Sequence, residues 1–200
     1  MFRLLLSSAL MIGALSTAPA RAGETGVAVF AGGCFWCVES DFDHVKGVTG
    51  TVSGYIGGKL DNPTYKNHTA NGDREAVEIS YDPAVVSYAD LLKTFFRTIN
   101  PADAGGQFCD RGHSYTTAVY TLNDEQAAQA EAAKAEAGKA LGQEVVTAIE
   151  PPAKFWPAED YHQDFYKKSP VRYSYYRRAC GRDSEVKALW GEQAHFGVVK

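Results

Sequence analysis

The sequence predicts a single α/β domain of the α+β type, two layers deep, with helices packed on a mixed or antiparallel sheet. Short apolar or alternating runs of strand length recur between stretches with helical stripes, as in a sheet covered by helices. The chain has 200 residues, 45% of them hydrophobic, a one-domain length with enough material for a real core. No internal repeat or low-complexity linker divides it.

Residues 1–22 stand apart from that domain. Arg3 gives a positive start, Leu4 to Leu15 is mostly apolar, and Ala20-Arg21-Ala22 offers a small-x-small cleavage site. This pattern predicts a secretory signal cut after Ala22, residues 23–200 as the mature domain, and a periplasmic or secreted location. The competing reading is an N-terminal membrane anchor. Elsewhere no stretch is long and apolar enough to cross a membrane, so the mature form is expected off the membrane; separately, a monomer is expected. The net charge of −4 and the lack of a basic patch argue against nucleic-acid partners. Four cysteines in an exported chain are commonly two structural disulfides. A domain of this length does not need such staples, so redox chemistry competes with that reading.

Val27 to Phe30 reads as a short buried strand running into Gly32-Gly33. Val38, Phe42 and Val45 then recur at helical spacing. Val48 to Ile56 is a second strand, stopped by Gly57-Gly58 and a loop through Asn62-Pro63-Thr64-Tyr65. From Glu75 to Tyr81 the alternation of Val77, Ile79 and Tyr81 marks a half-buried strand. Ser87 with Asp90 starts a helix whose stripe is Leu91, Leu92, Phe95, Phe96 and Ile99. A loop from Ala104 to His113 leads to a strand over Thr116–Leu122. Asn123 with Gln126 caps an alanine-rich outer helix that Gly142 ends after Leu141. Glu144 to Ile149 is a further strand before Pro151-Pro152, and an aromatic and basic tail follows.

The chemistry centres on Gly32-Gly33-Cys34-Phe35-Trp36-Cys37-Val38-Glu39. Cys34 falls at the first turn of a helix, where free N–H groups and the positive dipole end lower a thiol pKa from about 8.5 towards neutrality. The strand-turn-helix is expected to leave Cys34 exposed at the end of the sheet. Phe35 and Trp36 would form an aromatic cup for a small, apolar, oxidisable group. The plainer reading is an inert cysteine buried at an ordinary helix start.

Gly-Cys-Phe-Trp followed by Val-Glu resembles the signature of the peptide methionine sulfoxide reductase A family, and the likeness runs from about Val27 to Trp190. Gly54-Tyr55-Ile56-Gly57-Gly58 and Asn62-Pro63-Thr64-Tyr65 resemble the family's glycine turn and first active-site tyrosine. Glu75-Ala76-Val77 resembles the motif carrying the acid. Asp110 and Tyr115 match the family's aspartate and second tyrosine, and Pro157 to Gln163 its late segment. The departures are Cys37 where Gly is common, Asn71-Gly72-Asp73-Arg74 in a loop about two residues shorter than usual, and Ser114-Tyr115-Thr116-Thr117 preceded by Cys109. Singly, each residue has a plainer reading: Glu75 as a strand-edge carboxylate, Tyr65 and Tyr115 as core covers, Asp110 as a turn residue.

The resemblance implies a ferredoxin-like core with a long coil-rich C-terminal tail. It also implies thiol-dependent reduction of methionine-S-sulfoxide, free or in oxidised proteins. Cys34 would be the nucleophile and later a sulfenic acid, Glu75 the proton donor, Tyr65 and Tyr115 the holders of the oxygen. Cys180 on the tail would close a disulfide with Cys34, with Cys37 and Cys109 as alternative resolving thiols. No metal or organic cofactor is implied, only an external thiol reductant such as thioredoxin or a thioredoxin-like protein. Three other readings compete: a thioredoxin-like disulfide oxidoreductase using Cys34 and Cys37, a zinc site of Cys34, Cys37, Cys109 and His113, and an exported binding domain without catalysis.

Overall fold

The computed structural model describes residue 23 and residues 25–199; the predicted secretory segment lies outside them. The order of elements is β1 (Gly26–Gly32), α1 (Phe35–Asp43), β2 (Val48–Ile56), α2 (His68–Asn71), β3 (Arg74–Tyr81) and α3 (Tyr88–Phe96). Then come β4 (Gly106–Gln107), β5 (Asp110–Arg111), β6 (Thr117–Tyr120), α4 (Asp124–Leu141), β7 (Ala148–Glu150) and β8 (Phe155–Pro157). Three helices close the chain: α5 (Phe165–Lys168), α6 (Pro170–Ala179) and α7 (Arg182–Trp190).

The main sheet runs β7-β6-β1-β3-β2-β8. Every neighbouring pair is antiparallel except β6 and β7, so the sheet is mixed. Its inner four strands, with α1 and α3 as crossovers, give the βαββαβ order of a ferredoxin-like core. β1 lies at the centre with both faces covered, which is why Val27 to Phe30 reads as a continuous apolar run rather than an alternation. Phe30 stacks on Phe95 of α3 at 4.9 Å and meets Phe42 of α1 at 5.5 Å, joining both helices to the strand. Val29 and Ala31 face the other way, onto Ile56, Ala76, Ala118 and Tyr120.

The caps follow the sequence. Ser87 and Asp90 form a reciprocal capping box, Asn123 accepts the Gln126 N–H, and Gly142 ends α4 in the left-handed region. Three elements differ from expectation. The strand expected over 144–149 shrinks to Ala148–Glu150, because the Val146 N–H turns away to the Pro101 carbonyl at 2.8 Å. Phe155–Pro157 is a strand on the β2 edge, too short to show an alternation. The expected coil-rich tail is instead largely helical. Pro170 starts α6, and the faces that α6 and α7 bury hold Tyr173, Arg177, Arg182, Val186 and Trp190. Two arginines on the buried face hide the apolar stripe. They are tolerated because Arg177 pairs with Asp41 of α1 at 2.8 Å and with Asp183 at 2.7 Å.

Candidate active site

The turn from β1 into α1 brings the Cys34 backbone close to a neighbouring loop. Gly33 has φ +86°, and a Cβ there would lie 2.7 Å from the Gln107 Cβ, so only glycine suits the position. Cys34 caps α1, and its carbonyl accepts the N–H groups of Cys37 and Val38. The side chain differs from the sequence expectation in two ways. Cys34 is 6% exposed rather than open at the sheet end. Its thiol is pushed well above the ordinary cysteine range, first by burial and then by the adjoining Cys37. The helix N-terminus does not reverse this, because the Phe35 N–H is spent on Glu75 Oε2 at 3.0 Å. Cys37 moves down, through the Cys34 hydrogen bond and the guanidinium groups of Arg182 and Arg177, against its own burial.

Glu75, 2% exposed on β3, sits beneath the cysteine turn. Burial pushes its carboxyl up to about 8, helped by the negative charges of Asp110 and Cys37 and opposed by the Phe35 N–H. At neutral pH it therefore carries a proton. Its cross-strand partner is Tyr55, whose ring stacks on His68 at 4.7 Å and whose hydroxyl donates to Glu159 Oε2 at 2.9 Å. His68 Nε2 lies 4.0 Å from Glu75 Oε1, and burial lowers the His68 pKa, keeping the ring neutral. Such a neighbour does not draw the proton from Glu75.

Tyr65 is 44% exposed and held by its backbone N–H, which donates to Glu159 Oε1 at 3.0 Å. Tyr115 is half-buried in a 3₁₀ turn, His113–Tyr115. Ionisation of both hydroxyls is held up by burial and then by the Glu75 charge, so they remain donors. The short loop before Glu75 is pinned by its unusual residues. Asp73 accepts from the Gly58 N–H at 2.9 Å and from Asn71, and the Asp73 carbonyl accepts Ser114 Oγ at 2.8 Å. Of the two rings expected to form a cup, Phe35 is 1% exposed and turned into the core beside Tyr55. Trp36 is half-buried, stacks on Phe165 at 3.8 Å and donates from Nε1 to His162 Nδ1 at 3.1 Å.

Cys109 stands at the tip of the hairpin formed by β4 and β5, where Phe108 adopts φ +55° to make the two-residue turn. Cys109 is exposed and disulfide-bonded to Cys180, the C-cap of α6. Cys34 and Cys37 are free. Asp110, next along the hairpin, accepts the Tyr176 hydroxyl at Oδ2, and its carboxylate lies 3.8 Å from each sulfur of the disulfide. The zinc set of Cys34, Cys37, Cys109 and His113 is not assembled, since Cys109 is engaged with Cys180. Glu159, His162 and Tyr55 lie inside motifs visible in the sequence, although no role attached to them there. Tyr176, one of 11 tyrosines, carried no signal beyond its spacing of four from Cys180.

A buried cysteine beside a protonated carboxyl, with hydroxyl donors nearby and a disulfide at the surface, defines a thiol-dependent reductase built on a ferredoxin-like sheet. The family model for peptide methionine sulfoxide reductase matches residues 26–194. The chain is 58% identical over 180 residues to peptide methionine sulfoxide reductase MsrA 2 of Rhizobium meliloti, covering 90% of this chain and 91% of the relative. It is 44% identical over 171 residues to MsrA of Bacillus licheniformis, covering 84% and 94%. Methionine sulfoxide reductase A of Corynebacterium diphtheriae superposes with a TM-score of 0.70 at 28% identity, covering 80% of each chain. The chain belongs to the peptide methionine sulfoxide reductase family, and it is an enzyme that reduces methionine sulfoxide with electrons from thiols. This displaces the reading as a thioredoxin-like oxidoreductase and the reading as a binding domain.

Proposed function

We propose that Cys34 is the nucleophile and Glu75 the acid in reduction of the S epimer of methionine sulfoxide. The observation that carries this reading is the buried Glu75, protonated at neutral pH and tied to the first N–H of the cysteine's own helix. The Cys34 sulfur attacks the sulfoxide sulfur while Glu75 gives its proton to the departing oxygen. Tyr65 and Tyr115 hold that oxygen as donors, and Trp36 offers apolar surface to the methyl group. Methionine leaves with the two electrons that Cys34 gives up, and Cys34, now carrying the oxygen, is left as a sulfenic acid. The Cys180 thiol condenses with it, forming a Cys34–Cys180 disulfide and releasing water.

Cys109 then attacks Cys180. The Cys109–Cys180 bond forms, the Cys34–Cys180 bond breaks, and Cys34 departs with the electron pair as thiolate and takes up a proton. The joined Cys109 and Cys180 and the exposed hairpin tip support this order. An external dithiol, thioredoxin or a thioredoxin-like protein, reduces the exposed disulfide. Mxr1 of Saccharomyces cerevisiae, a fold relative at TM-score 0.53, has been solved in complex with Trx2. No organic cofactor enters the cycle. The features of residues 1–22 support action outside the cytoplasm, on oxidised exported proteins or free methionine sulfoxide.

Turnover of the separate S and R epimers in a short peptide, with dithiothreitol as reductant, tests the assignment. Consumption of S alone is the expected result. Consumption of R at an equal rate would overturn it. Export is checked by the N-terminal mass of protein from a periplasmic fraction, which should begin at Gly23.

A further inference from the structure

A nucleophile has to meet its substrate, yet Cys34 is almost closed off while its thiol is free. The group over it is Tyr176 of α6. Its hydroxyl donates to Asp110 Oδ2, near enough to the Cys34 thiol for each to act on the other's titration. Its ring meets the Trp36 indole edge-on, with centroids 5.7 Å apart at 83°. Cys34 and Trp36 are groups a methyl sulfoxide would have to reach, and Tyr176 lies beside both. Tyr176 lies four residues before Cys180, so the two stand one above the other on the same helix face. The bond that anchors Cys180 to Cys109 therefore also fixes Tyr176. From the other side, Arg182 Nη1 donates to the Gly32 carbonyl at 3.1 Å, and Arg177 pairs with Asp41, so α6 and α7 are held against the cysteine turn.

We propose that Tyr176 is a substrate-excluding residue: while Cys109 and Cys180 are joined, α6 seats its ring and hydroxyl over Cys34, and a second sulfoxide is refused until an external dithiol reopens that bond. The proposal rests on the roles assigned above to Cys34, Cys109 and Cys180. Its chemical use lies in the order of events. The exchange returns Cys34 as a free thiol while Cys180 is still occupied. A second sulfoxide arriving then would leave a Cys34 sulfenic acid that Cys180 cannot take up, open to further oxidation.

The test is the number of methionines released when fully reduced enzyme meets excess peptide sulfoxide with no reductant present. Exclusion by Tyr176 gives about one methionine per wild-type chain, and Tyr176→Ala gives about two, the second leaving Cys34 oxidised. In parallel, alkylation of Cys34 by iodoacetamide should be about tenfold slower or more in wild-type protein carrying the Cys109–Cys180 disulfide than in the same protein reduced, since reactivity follows the open fraction. Tyr176→Phe, which keeps the ring, should release about one methionine, as a steric block requires. Two methionines from the wild type, or equal alkylation of the two forms, overturns the exclusion, and both readings use unmutated protein. One methionine from a folded Tyr176→Ala variant removes Tyr176 from the role. Release of none from the reduced wild type would instead strike at the Cys34 reading itself.

Discussion

Two cysteine pairs with opposite surroundings organise this molecule. Cys34, the N-cap of α1, and Cys37 three residues on are both buried, Cys37 against Phe165 and Tyr173, and both are reduced. Cys109 and Cys180 are separated by 71 positions, meet where a hairpin tip touches the end of α6, and are joined. Sequence proximity thus fails to select the bonded pair. With Cys109 and Cys180 joined, the short-range pair is closed off from solvent. The long-range pair puts one sulfur, Cys109, in solvent, which suits exchange with another protein. On the proposed cycle, conversion of oxidised substrate and collection of electrons are divided between an interior site and a surface site, with the C-terminal helices as the link.

The change that breaks the comparison most completely is Cys34→Ser. Methionine release should vanish while the circular dichroism spectrum persists; retained turnover would remove the interior pair from catalysis. Next comes Glu75→Gln, which keeps an acceptor for the Phe35 N–H but loses the proton. Methionine release in a single turnover should fall by about 10²- to 10⁴-fold, the usual worth of a placed acid. The same variant changes stability with a definite sign. The Glu75 pKa is raised from 4.5 to about 8 on folding, so the native chain holds a proton that the unfolded chain releases. Its contribution is full below pH 4.5 and is lost as pH rises through about 8. Urea unfolding of Glu75→Gln should show less loss of stability across that window than wild type, and identical slopes would contradict the buried, protonated carboxyl.

How much of this was legible in the sequence depended on whether a residue's neighbours were local. The strand over Glu75–Tyr81, the Ser87 capping box and the Gly142 stop depend on adjacent residues, so their patterns were readable. The glycine at 33 could be read as a close approach, although Gln107 as the approached residue could not. The exposure of Cys34 was misread for the same reason. The dipole argument needs only α1, whereas the first N–H of that helix is taken by Glu75, 40 positions away from Phe35. The helices of the tail were hidden because their buried faces use Arg177 and Arg182, whose carboxylate partner Asp41 lies on α1. The pairing of Cys109 with Cys180 belongs to the same class: the residues were singled out, but nothing local could say which met which.

Cys109→Ser sharpens the division between the two sites. The first methionine should be released at the wild-type rate, because the proposed order places Cys109 after the chemistry at Cys34. Steady-state turnover with a protein dithiol should drop about tenfold or more, while a small thiol able to reach Cys34–Cys180 restores part of it. The variant should also be less stable than oxidised wild type, by up to about 4 kcal/mol for opening a loop of this length. A first turnover slowed as much as the steady state would place Cys109 in the interior site instead.

The smallest expected effect is at Cys37, and it separates the pairs most finely. Cys37 raises the Cys34 pKa by its hydrogen bond and its charge, second only to burial. Cys37→Ala removes both, so the pH profile of Cys34 alkylation in the reduced enzyme should move to lower pH, with a rate at neutral pH about two- to fivefold higher. Turnover should change little, because the proposed cycle has Cys180, not Cys37, take up the sulfenic acid. If turnover instead stops after one methionine while Cys34 accumulates as sulfenic acid, Cys37 is the resolving thiol. The interior pair would then complete the first disulfide alone, and Cys109–Cys180 would be a receiver of electrons one step further out.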